Sequence, residues 1–190
     1  MYIKKDFSYL IGIEGFSEGI LKNHFLLYEG YVNNTNKLIE ILDNKEPGSL
    51  EYSELQRRFA WEWNGMRFHE LYFSNIKSGS GNISDGILKQ KIEKKYGNVD
   101  NWLKNFIAVG LMRGIGWAVL AYDKESDELF NIWVNEHDVG NFVGAIPLLV
   151  IDVFEHAYMM DYGTKRVDYI NMFLKNINWQ EVEKRFENIN

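Results

Sequence analysis

The chain carries four histidines, His24, His69, His137 and His156, and the surroundings of each restrict what it can do. His24 lies in an apolar stripe at helical spacing with Ile20, Leu21, Leu27, Tyr28 and Tyr31. His69 lies in a second stripe with Leu55, Phe59, Trp63, Met66 and Phe73. A single histidine on an apolar face is most often a packed residue with its nitrogens satisfied by hydrogen bonds. Two on facing stripes favour a shared partner, because buried imidazole nitrogens are costly without one. Asp152 follows the apolar run Pro147-Leu148-Leu149-Val150-Ile151, and His156 comes four residues later. On a helical turn that spacing puts both side chains on one side. A carboxylate directly after a buried run needs a partner or a metal, although Asp152 could equally cap a following helix. Three imidazoles and one carboxylate form a nitrogen and oxygen set that suits iron or manganese, and zinc also fits by ligand type.

The remaining composition narrows the chemistry. With no cysteine, a disulfide framework, a thiolate zinc site and a cysteine nucleophile are all ruled out. The net charge of −6 argues against nucleic-acid binding, which needs clustered Lys and Arg. The basic stretch Lys89 to Lys95 is interrupted by Gln90, Ile92 and Glu93 and reads as a solvated helix face. Asp6 and Glu14 break up the N-terminal stretch, so no signal core is expected there. The longest apolar run, Ile146 to Ile151, is far too short to span a bilayer. A soluble cytoplasmic protein that binds neither nucleic acid nor membrane is expected.

These residues must be held by a small number of elements. Ser17 is a plausible N-cap for a long first helix that continues through Leu38, Ile41 and Leu42. Asn44 to Ser49, with Pro47 and Gly48, reads as a turn, and a second helix is expected from about Leu50 to Ile76. Two long helices joined by a short turn make an antiparallel hairpin. Ser78-Gly79-Ser80-Gly81-Asn82 marks a lobe boundary, giving an N-terminal hairpin domain over 1–81 and a C-terminal domain over 82–190. The second domain is expected to hold helices near Asp85–Tyr96 and Val99–Met112. Three strands should follow, at Trp117–Tyr122, Glu128–Val134 and Ala145–Ile151, with Asp123 to Asp127 as a hairpin loop. Helical segments at Val153–Tyr162, Val167–Phe173 and Trp179–Asn188 should close the chain. The fold class is α+β, with a small three-stranded antiparallel sheet among helices.

Asp152-Val153-Phe154-Glu155-His156-Ala157-Tyr158 closely resembles the Asp-x-Trp-Glu-His-Ala-Tyr signature of the iron/manganese superoxide dismutase family, with Phe154 in place of Trp. Other segments resemble the family in the right order. These are Tyr31 to Leu38, Phe68-His69-Glu70-Leu71-Tyr72-Phe73, Arg113-Gly114-Ile115-Gly116-Trp117-Ala118, and Asp168-Tyr169 through Trp179. The resemblance implies that His24, His69, Asp152 and His156 ligate one ion per subunit, iron first and manganese second, with solvent in a fifth position. It implies superoxide as the substrate and Tyr31 at the mouth of its channel. Trp117 would wall the cavity and Arg166 would stand near the entrance. Glu155 would cross a homodimer interface to the partner's ligand histidine. Arg166 and Lys22 are candidates for steering the anionic substrate.

Departures from the family pattern are as informative. Many members place a glutamine against the metal's solvent ligand, either four residues before the second ligand or near the end of the sheet. Here the first of these positions is Gly65, and His137 is similar to the replacement found in iron-using or dual-metal members. The alternative puts His137 on an exposed loop beside Glu136 and Asp138. The family's channel-mouth histidine is absent, the neighbourhood being Leu27-Tyr28. His24 to Tyr31 is one residue short, which implies that a local helix bulge is missing. Met159 stands where a gateway tyrosine is usual. Two other functions remain open on sequence: a non-redox metalloenzyme that activates water, and a catalytically weak relative of the same fold.

Overall fold

The computed structural model describes residues 1–79 and 82–189. Seven helices are present among them: α1 (Glu18–Asp43), α2 (Leu50–Ser74), α3 (Ile87–Tyr96), α4 (Val99–Gly110), α5 (Met159–Tyr162), α6 (Arg166–Lys175) and α7 (Trp179–Glu187). Three strands, β1 (Gly116–Asp123), β2 (Glu128–Asn135) and β3 (Ile146–Asp152), complete the α+β layout, with short 3-10 turns at Ser8–Leu10 and Glu155–Ala157. The expected domain boundary falls on Ser80 and Gly81, outside the described residues. One apolar cluster runs from Phe7 on the N-terminal side to Phe186 in α7 and takes in both helical pairs and the sheet.

Local chemistry accounts for the ends of the hairpin. The Ser17 hydroxyl accepts from Ile20 N at 3.1 Å, and the Ser49 hydroxyl accepts from Tyr52 N at 3.1 Å. Each satisfies one of the amides that a helix start leaves without an intrahelical acceptor. The helices run antiparallel: His24 packs on Phe73, Tyr28 donates to Glu70, and Asn34 donates to Glu62, so partners descend as the chain ascends. α1 is uninterrupted α-helix from Glu18 to Asp43; the bulge missing by residue count is missing in the backbone too. The apolar stripes are narrower than expected. Leu27 is exposed, and Leu55, Phe59 and Trp63 are only half-buried. Apart from Glu62, the buried residues of α2 all lie from Gly65 onward.

The sheet has the order β2-β1-β3, with both pairings antiparallel. β1 is central and buried over its first seven residues. Trp117 sits opposite Asp152 on one side and Val134 on the other. A bulge falls opposite Leu120 and Ala121, where Pro147 enters the ladder. Proline is tolerated there because β3 is an edge strand at an irregular step.

The segment after β3 differs from the expected helix. Asp152 is the last rung of the ladder, and Val153 N still bonds Gly116 O at 2.9 Å. Phe154 is extended (φ −63°, ψ 153°), and only Glu155–Ala157 turn, as a 3-10 piece. Continued pairing with β1 holds the backbone out of the helical region. Among the described residues, no helix is long and apolar enough to cross a membrane.

Candidate metal centre

Four elements converge beneath the hairpin. α1 supplies His24, α2 supplies His69, the end of β3 supplies Asp152, and the 3-10 turn supplies His156. One ligand atom from each lies within 4.8 Å of all the others. The Asp152 Oδ2 atom is the common point: it is 3.1 Å from His24 Nε2, 3.2 Å from His156 Nε2 and 3.7 Å from His69 Nε2. His156 therefore meets Asp152 across a strand-to-3-10 turn and not along a helix. The capping possibility is also partly realised, since Asp152 Oδ1 accepts from Phe154 N at 2.8 Å. The Asp152 backbone is pinned independently, because the Tyr169 hydroxyl donates to its carbonyl at 2.7 Å.

The donor set fits a cation better than it fits itself. The His69 Nδ1–H donates to Gly65 O at 2.6 Å, which leaves the Nε2 lone pair facing the cluster. That Nε2 is buried and has no hydrogen-bond partner. A single carboxylate oxygen cannot satisfy three imidazoles that all aim at it. Metal–ligand bonds of about 2.1 Å at angles of about 90 to 120° put ligand atoms roughly 3.0 to 3.6 Å apart, close to the separations around Oδ2.

Electrostatics agree with that geometry. Burial pushes the Asp152 carboxyl up, but the His156 charge and the bonds from His156 and His24 outweigh it and hold the group well below the usual carboxylate range. Burial depresses His24. It depresses His69 further, with help from neighbouring His24. Burial also works against a charged His156, yet the adjacent Asp152 carboxylate raises it overall. The pocket thus keeps an anion at Asp152 and neutral imidazoles at His24 and His69, which is the protonation state a metal requires.

A second group of side chains closes around this cluster. His137 is fully buried and is not on an exposed loop. Its Nδ1 accepts from Trp117 Nε1 at 3.0 Å. Indole nitrogen only donates, so the neutral ring carries its proton on Nε2, which lies 2.8 Å from the Tyr31 hydroxyl. Burial lowers His137 to about 4, so it is neutral at physiological pH. Tyr31 accepts from it and keeps its own O–H proton. The Tyr31 ring stacks on His69, with centroids 5.1 Å apart. Trp117 stands at 85° to His69, with centroids 5.0 Å apart.

Glu155 is exposed. Arg166 is half-buried; its guanidinium donates to the Tyr158 hydroxyl at 3.2 Å, Met112 O at 2.8 Å and Gly114 O at 2.9 Å. Lys22 pairs with Glu18 at 2.5 Å. Met159 is exposed. One contributor, Trp61, carries no mark in the sequence. Trp61 covers His137, with centroids 4.5 Å apart. Tyr28, in the neighbourhood where the family resemblance expects a channel histidine, has a buried hydroxyl that accepts from Lys5 N at 2.9 Å and donates to Glu70 at 3.1 Å.

Comparison with known proteins gives the family. Residues 84–185 match the family described as iron/manganese superoxide dismutases, C-terminal domain. An iron superoxide dismutase of Aquifex pyrophilus is 38% identical over 184 residues, covering 92% of this chain and 86% of the relative. A manganese superoxide dismutase of Haloferax volcanii is 34% identical over 174 residues, covering 90% and 87%. An iron superoxide dismutase of Saccharolobus solfataricus is 36% identical over 169 residues, covering 84% and 80%. Identity of this extent reaches the hairpin as well as the sheet, so the chain belongs, over nearly its whole length, to the iron/manganese superoxide dismutase family.

Proposed function

We propose that this protein is a superoxide dismutase in which His24, His69, Asp152 and His156 hold one iron or manganese ion. The observation that carries the reading is the convergence of three imidazoles on one Asp152 oxygen, with the lone pair of His69 Nε2 otherwise unused. Relatives named for either metal align with 90% or more of this chain. When bound, iron or manganese supplies a one-electron couple between trivalent and divalent states, through which one superoxide leaves as dioxygen and a second as hydrogen peroxide.

The residues around the ion have separate tasks. Asp152 brings one negative charge, which favours the trivalent state. His69 is kept in the ligating tautomer by Gly65 O, the kind of outer contact that orients a metal ligand. Peroxide formation needs two protons. Tyr31, pushed above its ordinary value by burial, stays protonated and holds an O–H that His137 does not use. His137 fixes that hydroxyl from behind, so Tyr31 is the proton-holding group at the cavity and His137 the group that sets its orientation. Trp117 and Tyr31 flank His69 and shield it from bulk water. Exposed Glu155, free of any ion pair described within the chain, is suited to reach a partner's ligand histidine in a homodimer.

A hydrolytic metalloenzyme would need a free carboxylate beside the ligands. Glu70 adjoins His69, but its oxygens are held by Tyr28, Arg67 and Lys5. The test is reconstitution of the metal-free protein with iron, manganese or zinc, each followed by superoxide decay and metal content. Dismutation with iron or manganese and none with zinc is expected; activity confined to hydrolysis with zinc would overturn the reading. Replacing His137 by Gln tests its role, and unchanged spectra, activity and metal preference would reject it.

A further inference from the structure

The loop that carries His137 begins with an unusual residue. Glu136 adopts φ +50°, the left-handed region that a side chain other than Asn or Asp seldom enters. The surrounding backbone leaves it little choice. Glu136 N donates to Ile115 O at 3.1 Å, and Asn135 N to Val139 O at 2.8 Å. Gly116 and Gly140 pack so closely that a Cβ on either would strike the backbone of Val134 or Trp133. Backbone strain next to a buried functional side chain raises the question of what it secures.

The Glu136 carboxylate accepts from Trp61 Nε1 at 3.1 Å. The Trp61 ring in turn lies against His137, with centroids 4.5 Å apart at 72°, and against Tyr31 at 5.5 Å. Arg58 rests on the Trp61 ring, its guanidinium carbon 3.9 Å from the centroid, and is held there by buried Glu62 through bonds of 2.7 and 2.8 Å. His137 is already bounded by Trp117, Phe154 and Tyr31. Trp61 supplies the remaining wall, and Glu136 is what ties that wall to the loop.

We propose that Glu136 and Trp61 form a latch between the sheet loop and α2 that positions the His137–Tyr31 pair and keeps water from it. Both are positioning residues: neither reaches the four converging ligand atoms. The inference rests on the reading of His137 and Tyr31 given above, but its test does not depend on a loaded metal.

The measurement is solvent exchange of the His137 Nε2–H and the Trp61 indole N–H, by NMR of the metal-free protein. Glu136→Asn suits the left-handed backbone but is too short to reach Trp61. Trp61→Phe keeps a ring and removes the donor. Glu136→Gln keeps an acceptor. The first two should speed His137 exchange at least tenfold, and Glu136→Gln should stay within twofold of the parent. The unfolding midpoint of Glu136→Asn should not fall, because the backbone strain is relieved. Unchanged His137 exchange in Glu136→Asn and Trp61→Phe overturns the latch. So does acceleration shared equally by the Val150 amide in β3, which would report general loosening. Parent protein that shows the expected exchange pattern but no dismutation with iron or manganese would instead refute the proposed function.

Discussion

Gly65→Ala sets two well-understood effects against each other at the centre of the site. Gly65 is in the interior of α2, where alanine would ordinarily stabilise the helix by about 1 kcal/mol. Yet a Cβ there would lie 2.6 Å from Tyr31 Cδ1 and 2.7 Å from Cε1, about 1 Å inside the normal carbon contact distance of about 3.5 to 4.0 Å. The ring must retreat, and its hydroxyl is 2.8 Å from His137 Nε2, so the bond between them is lost. Overpacking of this kind costs about 1 to 3 kcal/mol, and the hydrogen bond about 1 kcal/mol more. The balance is a net loss of about 1 to 3 kcal/mol in place of a gain. Urea unfolding of the metal-free protein measures it. Loss of the Tyr31–His137 bond should also slow superoxide turnover roughly tenfold if its energy is used in proton delivery, measured by stopped-flow decay at matched metal content. A Gly65→Ala protein about 1 kcal/mol more stable than its parent, with full turnover, would refute the account of why this position is glycine.

Acid should destabilise the metal-free protein well above the range where carboxylates titrate. His24, His69 and His137 resist protonation when folded, so they bind fewer protons folded than unfolded and stability falls as pH drops below about 6.5. His137 alone, lowered to about 4, contributes up to about 3 kcal/mol of this loss by pH 4. His156, raised by Asp152, acts with the opposite sign: its contribution is present at low pH and fades as pH rises. Urea midpoints that hold constant from pH 7 to 4.5 would contradict this. In the loaded enzyme, kcat/KM should fall with added salt as the screening length contracts from about 30 to about 8 Å. Arg166 retains its full charge because its partners are neutral oxygens, whereas Lys22 is offset by Glu18; a flat or rising salt dependence would count against steering. Glu155→Ala should shift sedimentation equilibrium from dimer toward monomer, and an unchanged dimer would remove Glu155 from the interface.

The convergence of the four side chains was legible in the sequence because each sits at a place where its polarity conflicts with its neighbours. His24 and His69 interrupt apolar helical stripes, and Asp152 ends a buried run. Periodicity also located both hairpin helices and all three strands to within a few residues. The path from Asp152 to His156 was not legible, because spacing by four fits a helical turn as well as a strand ending in a 3-10 piece. The choice is made by ladder pairing with Gly116 and Trp117, far away in sequence. Trp61 was hidden for a similar reason. Its significance comes from the crossing of α2 and the loop at Glu136, a meeting of residues 75 positions apart. The half-exposed start of α2 shows the limit from the other side: Leu55 and Phe59 keep the helical period although little packs on them.

The four converging residues are also widely separated along the chain, His24 and Asp152 being 128 positions apart. During synthesis the hairpin emerges early and offers only two imidazoles. The carboxylate comes with the last residue of β3 and the third imidazole four residues later, and pairing of β3 with β1 fixes the backbone at Asp152. On the proposed ligand set, a chain ending before His156 would lack one of the four converging side chains, so the cage is complete only once this part of the polypeptide is in place.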